Sequence, residues 1–562
     1  MNPTTTSAHS PLPEEALNLL RQALLLAIAA RYPDAAGAEV AFESPRRVEF
    51  GDFSTNVALS LARTARTSPQ NVATALVDDV RGRDEFENLF TAMEAVGGFI
   101  NVRIAAASWQ ALLADMLRRG AHFGESPKNG QRISLEFGSA NPTGPLVVVQ
   151  GRTLSIGETL ADALRFCGYD VFVEWIINDA GGQIETLGRS LYARYRQTFD
   201  PTYTFPEEGY PGDYLVPIAD AIRQTDGERW IAAPEAGWLP YFCAEGRERL
   251  VAGQRATVER FGVRYDLWQS EKELHDDGRV RAGIDRLIDL GLTYEQDGAL
   301  YFRATAFNDD KDRVLIRSDG RPTYLCADVA YHYEKLQRAD RVIDILGPDH
   351  HGYIGRLQGL ATALGYPGKL DVLIAQQITL MRGDQQVSMS KRAGQIVTLD
   401  DIIDEVGVDA ARFFFVMLAP ESPLTFDLAL AAQKSSDNPV YYVQYGHARI
   451  ASLLKNAVTD DVAVARGGAT LERLVHPAEL ALVRRLAELP SAVRNAVDHL
   501  APHRLTRYAR DVASDFHQFY AECRVLTDDR EERLARLSLC LATESVLARV
   551  LGILGVSAPE SM

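Results

Sequence analysis

The succession of strand, turn, helix and strand that begins near residue 132 restricts this chain more than any other feature. ISLEF is a short apolar strand, SANPTGPL a turn, GRTLSIGETLADALRFCGY a helix ending at Gly168, and VFVEWII a second strand. Such a unit closes only as a right-handed crossover between parallel strands, the building block of a doubly wound α/β sheet. Ligands of these sheets bind beyond the carboxyl ends of the strands, which makes SANPTGPL and its surroundings the first place to look for chemistry. YLCADVAYHYEKL, RVIDILGPDHHGY and KLDVLIAQQITLMRG read as the second half of the sheet. The intervening stretch, about residues 190–300, is irregular and rich in Tyr, Pro and Glu, and suits an insertion between the halves.

At 562 residues the chain is too long for one core. Residues 1–13 read as a disordered tail. Residues 14–125 read as a compact α/β unit that opens on the amphipathic helix EEALNLLRQALLLAIAARY and closes on the strand VGGFINVRI. GESPKNGQ is a polar, glycine-containing linker, so the sheet domain spans residues 126–427. Apolar residues at three and four spacings dominate residues 428–562, the pattern of an all-α bundle.

No run of about 18 apolar residues is present, so no membrane span is expected, and the first residues lack the pattern of an export leader. Five scattered cysteines form no C-x-x-C pair, which argues for reduced thiols rather than a disulfide framework or a zinc site. His350 and His351 are adjacent, point apart on a regular element and have no suitably spaced third ligand, so no metal site is expected. The net charge of -17 counts against a generic nucleic-acid binder and leaves room only for a local basic face.

EFGSANPTGPLVVVQGR resembles the ATP-site signature of the arginine–tRNA ligases, in which SANPTGPL is followed by His-Val-Gly-His-Gly-Arg. The correspondence covers Ser139, Ala140, Asn141, Pro142, Thr143, Gly144, Pro145, Leu146, Gly151 and Arg152, with Val148 at the intervening valine. EWIINDAGGQIETLGRSL, LGPDHHGYIGRL, VGVDAARFFF and NPVYYVQYGHARI resemble later segments of the same family in the same order. The resemblance implies a Rossmann-type catalytic domain, an α/β amino-terminal domain that binds the tRNA elbow and a helical anticodon-binding bundle. It also implies a cytoplasmic monomer that uses ATP with Mg2+ as a substrate complex, holds no tightly bound cofactor, and joins L-arginine to tRNA(Arg).

By the same resemblance Glu136 and Asn141 contact the amino-acid substrate, and Tyr324 and Asp328 hold its guanidinium. A carboxylate suits that planar fork, and the Tyr-x-x-x-Asp spacing sets both side chains on one helical face. Asp349 and His351 fall at a possible nucleotide pocket. VSMSKRAGQIVTL corresponds to the Lys-Met-Ser-Lys loop, with Ser388 in place of the first lysine and Met389, Ser390 and Lys391 retained. Such a loop brings positive charge to the departing pyrophosphate, a demand that Lys391 meets. In HRLTRYAR, Arg504, Arg507, Tyr508 and Arg510 mix cations with an aromatic ring, as single-stranded RNA binding requires. A solvated helix face fits the same pattern.

The departure lies at Val147, Val149 and Gln150, where the family has histidine, glycine and histidine. Val147 donates nothing, Val149 adds bulk, and Gln150 keeps an amide donor without a charge. Loss of one preorganised donor to a transition state costs about 3 kcal/mol, on the order of a hundredfold in rate. A working ligase then relies on Gln150, Arg152, Lys391 and the amino terminus of the following helix. The alternative is a catalytically weak or inactive paralog that binds tRNA and arginine.

Overall fold

The computed structural model describes residues 11–35, 37–45, 47–86, 88–387 and 397–562, with Val48 and His351 described by backbone alone. The amino-terminal unit contains α1 (Pro13–Arg31), β1 (Phe53–Thr55), α2 (Val57–Ala65), α3 (Pro69–Val80), β2 (Phe90–Val96), β3 (Phe99–Ile104) and α4 (Ala106–Arg119). Its strands form an antiparallel sheet in the order β1-β3-β2. Gly97 and Gly98 join β2 to β3 with φ of 61° and 88°, the left-handed values that a two-residue hairpin turn demands. Residues 1–10 of the expected tail lie outside the described residues.

The sheet unit starts with β4 (Arg132–Phe137), α5 (Val148–Phe166) and β5 (Asp170–Ile177), then α6 (Gly182–Gln197), α7 (Val216–Asp226), α8 (Glu235–Arg260) and β6 (Leu267–Ser270). It goes on through α9 (Glu271–Asp276), α10 (Arg279–Asp289), β7 (Thr293–Gln296), β8 (Ala299–Phe302), β9 (Arg313–Ile316) and α11 (Tyr324–Arg338). Next come β10 (Arg341–Leu346), α12 (Ile354–Ala363), β11 (Leu370–Ile374), β12 (Ile378–Arg382), β13 (Gln385–Gln386), α13 (Leu399–Val416), β14 (Leu424–Asp427) and α14 (Leu428–Ala431). Five strands pair in parallel in the order β11-β10-β4-β5-β6. The winding direction reverses between β10 and β4, so the ligand crevice opens where those two strands end.

Strand β6 falls inside the stretch that reads as an insertion. Four residues, LWQS, carry too little periodicity to stand out, yet they pair with β5 and complete the sheet edge. Helices α6–α8 therefore form the crossover from β5 to β6. They carry their own core of Tyr192, Tyr195, Trp230, Trp238 and Phe242.

The carboxyl-terminal bundle comprises α15 (Pro439–Asn456), α16 (Thr459–Arg466), α17 (Pro477–Ala487), α18 (Leu489–Asp498), α19 (His503–Glu522) and α20 (Arg530–Ile553). Among the described residues no helix is long and apolar enough to cross a membrane.

Helix α5 is almost wholly buried, and two glycines let it be so. A Cβ on Gly151 would stand 2.7 Å from Leu399 and 2.8 Å from Phe415, so the missing side chain allows α13 to lie against α5. A Cβ on Gly157 would come within 2.1 Å of the Phe137 ring. Overpacking of this kind costs about 1–3 kcal/mol. Gly157→Ala is expected to lower the unfolding free energy, read from urea titration, by about 2 kcal/mol, despite the better helix propensity of alanine; unchanged stability would contradict the tight fit.

Candidate active site

Three acids stand side by side across the sheet. Glu174 on β5 is the register partner of Glu136 on β4, which is in turn the partner of Asp344 on β10, so the pleat turns all three to one face. Their exposures are 0, 6 and 1% respectively. Helix α11 crosses that face and supplies the counter-charges. The fully buried Lys335 Nζ donates to Glu136 Oε2 at 2.7 Å and also to Asp344 Oδ1. His332 Nε2 meets Asp344 Oδ2 at 2.9 Å, while its Nδ1 meets the Asp328 carbonyl at 2.8 Å. Arg338 pairs with Glu174, which also accepts from the Tyr331 hydroxyl at 3.0 Å.

Burial works against every charge here, and the partners decide the outcome. Asp344 is held down at about 2 because Lys335 and His332 outweigh its desolvation. Burial disfavours charge on His332 too, but its bond to Asp344 holds the imidazole above its ordinary value. Glu136 is raised by burial against the pull of Lys335, and its second oxygen accepts from Ser139 Oγ at 3.0 Å.

Two further acids near this network lack such partners. Asp328 lies one turn before His332 on α11, and Glu271 opens α9 at 5% exposure. Among the described residues neither carboxylate accepts a hydrogen bond. Burial first, and then the charge of Glu136, push Asp328 up to about 6, although His332 pulls the other way. Burial, with Asp328 and Asp179 as neighbours, pushes Glu271 up to about 7. Asp179 itself is satisfied by Ser270, the Lys272 amide and Arg247. Tyr324 sits one turn before Asp328 on the same helix, 62% exposed, with its hydroxyl over Gly181, where an added Cβ would stand 3.1 Å away. The site thus holds a buried carboxylate, Glu271, and a half-buried one, Asp328, neither of them hydrogen-bonded among the described residues, beside an exposed phenol, a setting for a planar cation. Sequence reasoning missed Glu271 because a glutamate in the first turn of a helix ordinarily complements the helix dipole.

The turn from Gly138 to Leu146 joins β4 to the amino terminus of α5. Asn141 is exposed there and accepts from Asn178 Nδ2 at 3.2 Å. Gln150 Oε1 accepts from the Val147 amide at 3.1 Å, so the side chain caps the helix with its carbonyl and keeps its NH2 for another acceptor. The Leu399 amide donates to the Leu146 carbonyl at 2.8 Å, and Val147 bridges to Thr398. The start of α13 is thereby tied to the start of α5. Ser388, Met389, Ser390 and Lys391 lie outside the described residues, as does the side chain of His351. Asp349 is exposed in the turn after β10.

Arg152 needs a correction. It is fully buried, and its guanidinium donates to the carbonyls of Gln376 at 2.8 Å, Ala419 at 3.0 Å and Ser422 at 2.8 Å. Its charge binds the loops after β11 and α13 to α5 and is not offered to a phosphate. Tyr508 needs another, since it is 5% exposed and its hydroxyl donates to the Arg485 and Leu486 carbonyls, leaving no ring face for a base.

Arg504, Arg507 and Arg510 are exposed on α19. Arg507 and Arg510, with Tyr442 and His503, line a cleft of about 580 Å³ between α15 and α19. A second cleft of about 840 Å³ lies between Arg449, Lys455, Arg524, Tyr445, Tyr520 and the carboxyl-terminal residues. Tyr445 is 41% exposed and stacks with Tyr441, and the Arg449 guanidinium lies 4.1 Å over the Tyr520 ring. Cations over open aromatic faces are what unstacked bases bind. The aromatic residues of this surface come from α15 and the end of α19 rather than from HRLTRYAR.

Three family models match the chain: arginyl tRNA synthetase N terminal domain over residues 17–104, tRNA synthetases class I (R), catalytic domain over 242–419, and DALR anticodon binding domain over 443–562. Among curated relatives, the arginine–tRNA ligase of Syntrophotalea carbinolica is 44% identical, over 93% of this chain and 95% of its own length. That of Moorella thermoacetica is 47% identical, over 92% and 93%. Among solved structures, a putative arginyl-tRNA synthetase from Campylobacter jejuni is 29% identical with a TM-score of 0.75, over 82% of this chain and 100% of its own. The Thermus thermophilus arginyl-tRNA synthetase has the same TM-score at 23% identity, over 97% and 100%, and shares the fold.

If Arg152 is a tie within the fold, Arg152→Met should lower the unfolding free energy by about 3 kcal/mol or more, because three buried carbonyls lose their donor. Unchanged stability together with a weakened ATP affinity would instead mark a phosphate ligand.

Proposed function

Because the chain belongs to the arginine–tRNA ligases, the class I synthetases for arginine, we propose that it activates L-arginine with Mg2+-ATP and esterifies tRNA(Arg), using Glu271 and Asp328 to seat the guanidinium. The observation that carries this reading is the pair of carboxylates, Glu271 buried and Asp328 half-buried, with no donor among the described residues. The guanidinium presents five N–H donors in a fixed fork, which two acids satisfy better than one. Tyr324 closes the pocket above them. The free α-ammonium group falls to Glu136, held in place by Lys335 and Ser139, and to Asn141.

In the first step an oxygen of the arginine carboxylate attacks the α-phosphorus. The bond from that phosphorus to the bridging oxygen breaks, and pyrophosphate leaves with the electron pair. In the second, the terminal ribose hydroxyl of tRNA attacks the arginyl carbonyl, the bond from that carbon to the phosphate oxygen breaks, and AMP departs with the electron pair and takes up the hydroxyl proton. The growing phosphate charge meets the free amides at the start of α5, the NH2 of Gln150 and the cation of Lys391. Val147 and Val149 supply no donor, so Gln150 carries what the usual histidines would share. The clefts beside Arg507, Arg510, Tyr445 and Arg449 suit the anticodon arm, their cations standing beside Asp437, Asp511 and Glu560.

Purified chain with Mg2+-ATP, arginine and cognate tRNA should form the arginyl ester. Gln150→Leu should lower kcat about a hundredfold with the arginine KM unchanged; an unaltered rate would remove Gln150 from the chemistry, and no ester from the wild type would favour the inactive paralog. Asp328→Asn should raise the arginine KM about a hundredfold while the ATP KM holds, the cost of one charge-assisted contact. Equal effects on both substrates would contradict its placement in the arginine pocket.

A further inference from the structure

The nucleotide turn is gripped from behind by the crossover helices. Gln254 on α8 is 2% exposed, and its Nε2 donates to the Asn141 carbonyl at 3.0 Å and the Gly144 carbonyl at 2.9 Å. The Tyr214 hydroxyl, two residues before α7, donates to the carbonyl between them, that of Thr143, at 2.6 Å. Burial pushes this phenol up to about 12, so it remains a donor at every working pH. Gly144 leaves room for the ring, since a Cβ there would sit 3.3 Å from the Tyr214 oxygen. Three carbonyls within four residues of the turn are thus held by two side chains, Gln254 on Asn141 and Gly144 and Tyr214 on Thr143 alone.

The same helix also reaches α13. One turn beyond Gln254, Thr257 Oγ1 donates to Asp400 Oδ2 at 2.6 Å, and Arg260 pairs with Asp400 at 2.8 Å and with Asp404. Asp400 lies in the first turn of α13, directly after the segment that carries Lys391. The hydrogen bond from Leu399 to Leu146 closes the triangle. A single helix face, with residues three apart in sequence, therefore fixes the turn that opens α5 and the helix that follows the second signature.

Resting on the ligase reading above, we propose that Gln254 and Tyr214 are positioning residues for ATP: α8 is a brace that holds the turn before α5 against the start of α13, and Tyr214, whose bond is to Thr143, governs ATP affinity apart from the arginine site. The brace matters more in this chain than where two histidines can follow a displaced phosphate. With those donors gone, the backbone amides at the start of α5 are the contacts that remain, and their direction is fixed by the turn that Gln254 and Tyr214 hold.

The test uses the full chain and four forms: wild type, Tyr214→Phe, Gln254→Met and the double variant. ATP binding is measured by calorimetry, the ATP and arginine KM values by tRNA-dependent exchange of pyrophosphate into ATP, and stability by urea titration. Tyr214→Phe, which keeps the ring, should weaken ATP about fivefold with the arginine KM moved less than twofold, and the double variant should weaken ATP about fiftyfold. ATP affinity equal to wild type in Tyr214→Phe and the double variant would overturn the brace. So would parallel losses for ATP and arginine in Tyr214→Phe, which would mean general loosening of the fold. Should the wild type show no exchange while ATP binding still weakens in the variants, the ligase reading fails and the brace stands.

Discussion

Three carboxylates at one level of a parallel sheet would drive β5, β4 and β10 apart unless cations of matching reach covered them. An unpaired charge in such a place costs several kcal/mol. Helix α11 meets the demand with Lys335, His332 and Arg338, one for each acid along its inner face. The helix is therefore pinned against that face of the sheet with little freedom to turn. That pinning decides where Asp328 and Tyr324, farther up the same helix, must stand. The cations of α11 are spent on the sheet acids, so among the described residues Asp328 and Glu271 are left without a hydrogen-bonded cation. Such a pair suits a cationic substrate.

A second constraint is the seat of α5. Gly151 and Gly157 let the helix lie against α13 and Phe137, and Arg152 gathers three loop carbonyls around it. The amino terminus of α5, with its free amides, is then immobile from three sides, including the grip of α8 on the turn before it. A site without histidine donors can depend on backbone amides only if the backbone is held this way. Gln150 joins the arrangement through its carbonyl, which caps the helix, and its other end remains for the phosphate.

Much of the architecture was legible in the residues. Alternation of apolar strand, glycine-bearing turn and helix from residue 132 gave the parallel sheet, and the three and four spacings after residue 428 gave the bundle. The four-residue β6 was not legible, because so short a strand takes its conformation from its partner β5. Directions of side chains were the weaker part. Arg152 follows the signature in sequence, yet it points away from the crevice, and only the packing of the loops after β11 and α13 reveals that. Tyr508 was open to a better reading: Leu505, Tyr508, Ala509 and Val512 recur at core spacing, and all four are buried. Glu271 carried no signal, since its partner Asp328 is 57 residues away and meets it only through the fold.

The central claim is that the pocket holds arginine with carboxylates that burial has made reluctant to ionise. Groups raised in this way are neutral below their pKa and become anions as pH rises through it, so affinity for a cation grows in that window. Glu271 at about 7 and Asp328 at about 6 place the window. Calorimetric titration of arginine into the protein at about pH 5.5 and about pH 7.5 tests this directly. The account predicts affinity at least about tenfold greater at the higher pH, with protons released on binding. Affinity that is flat or falls across that interval would contradict it.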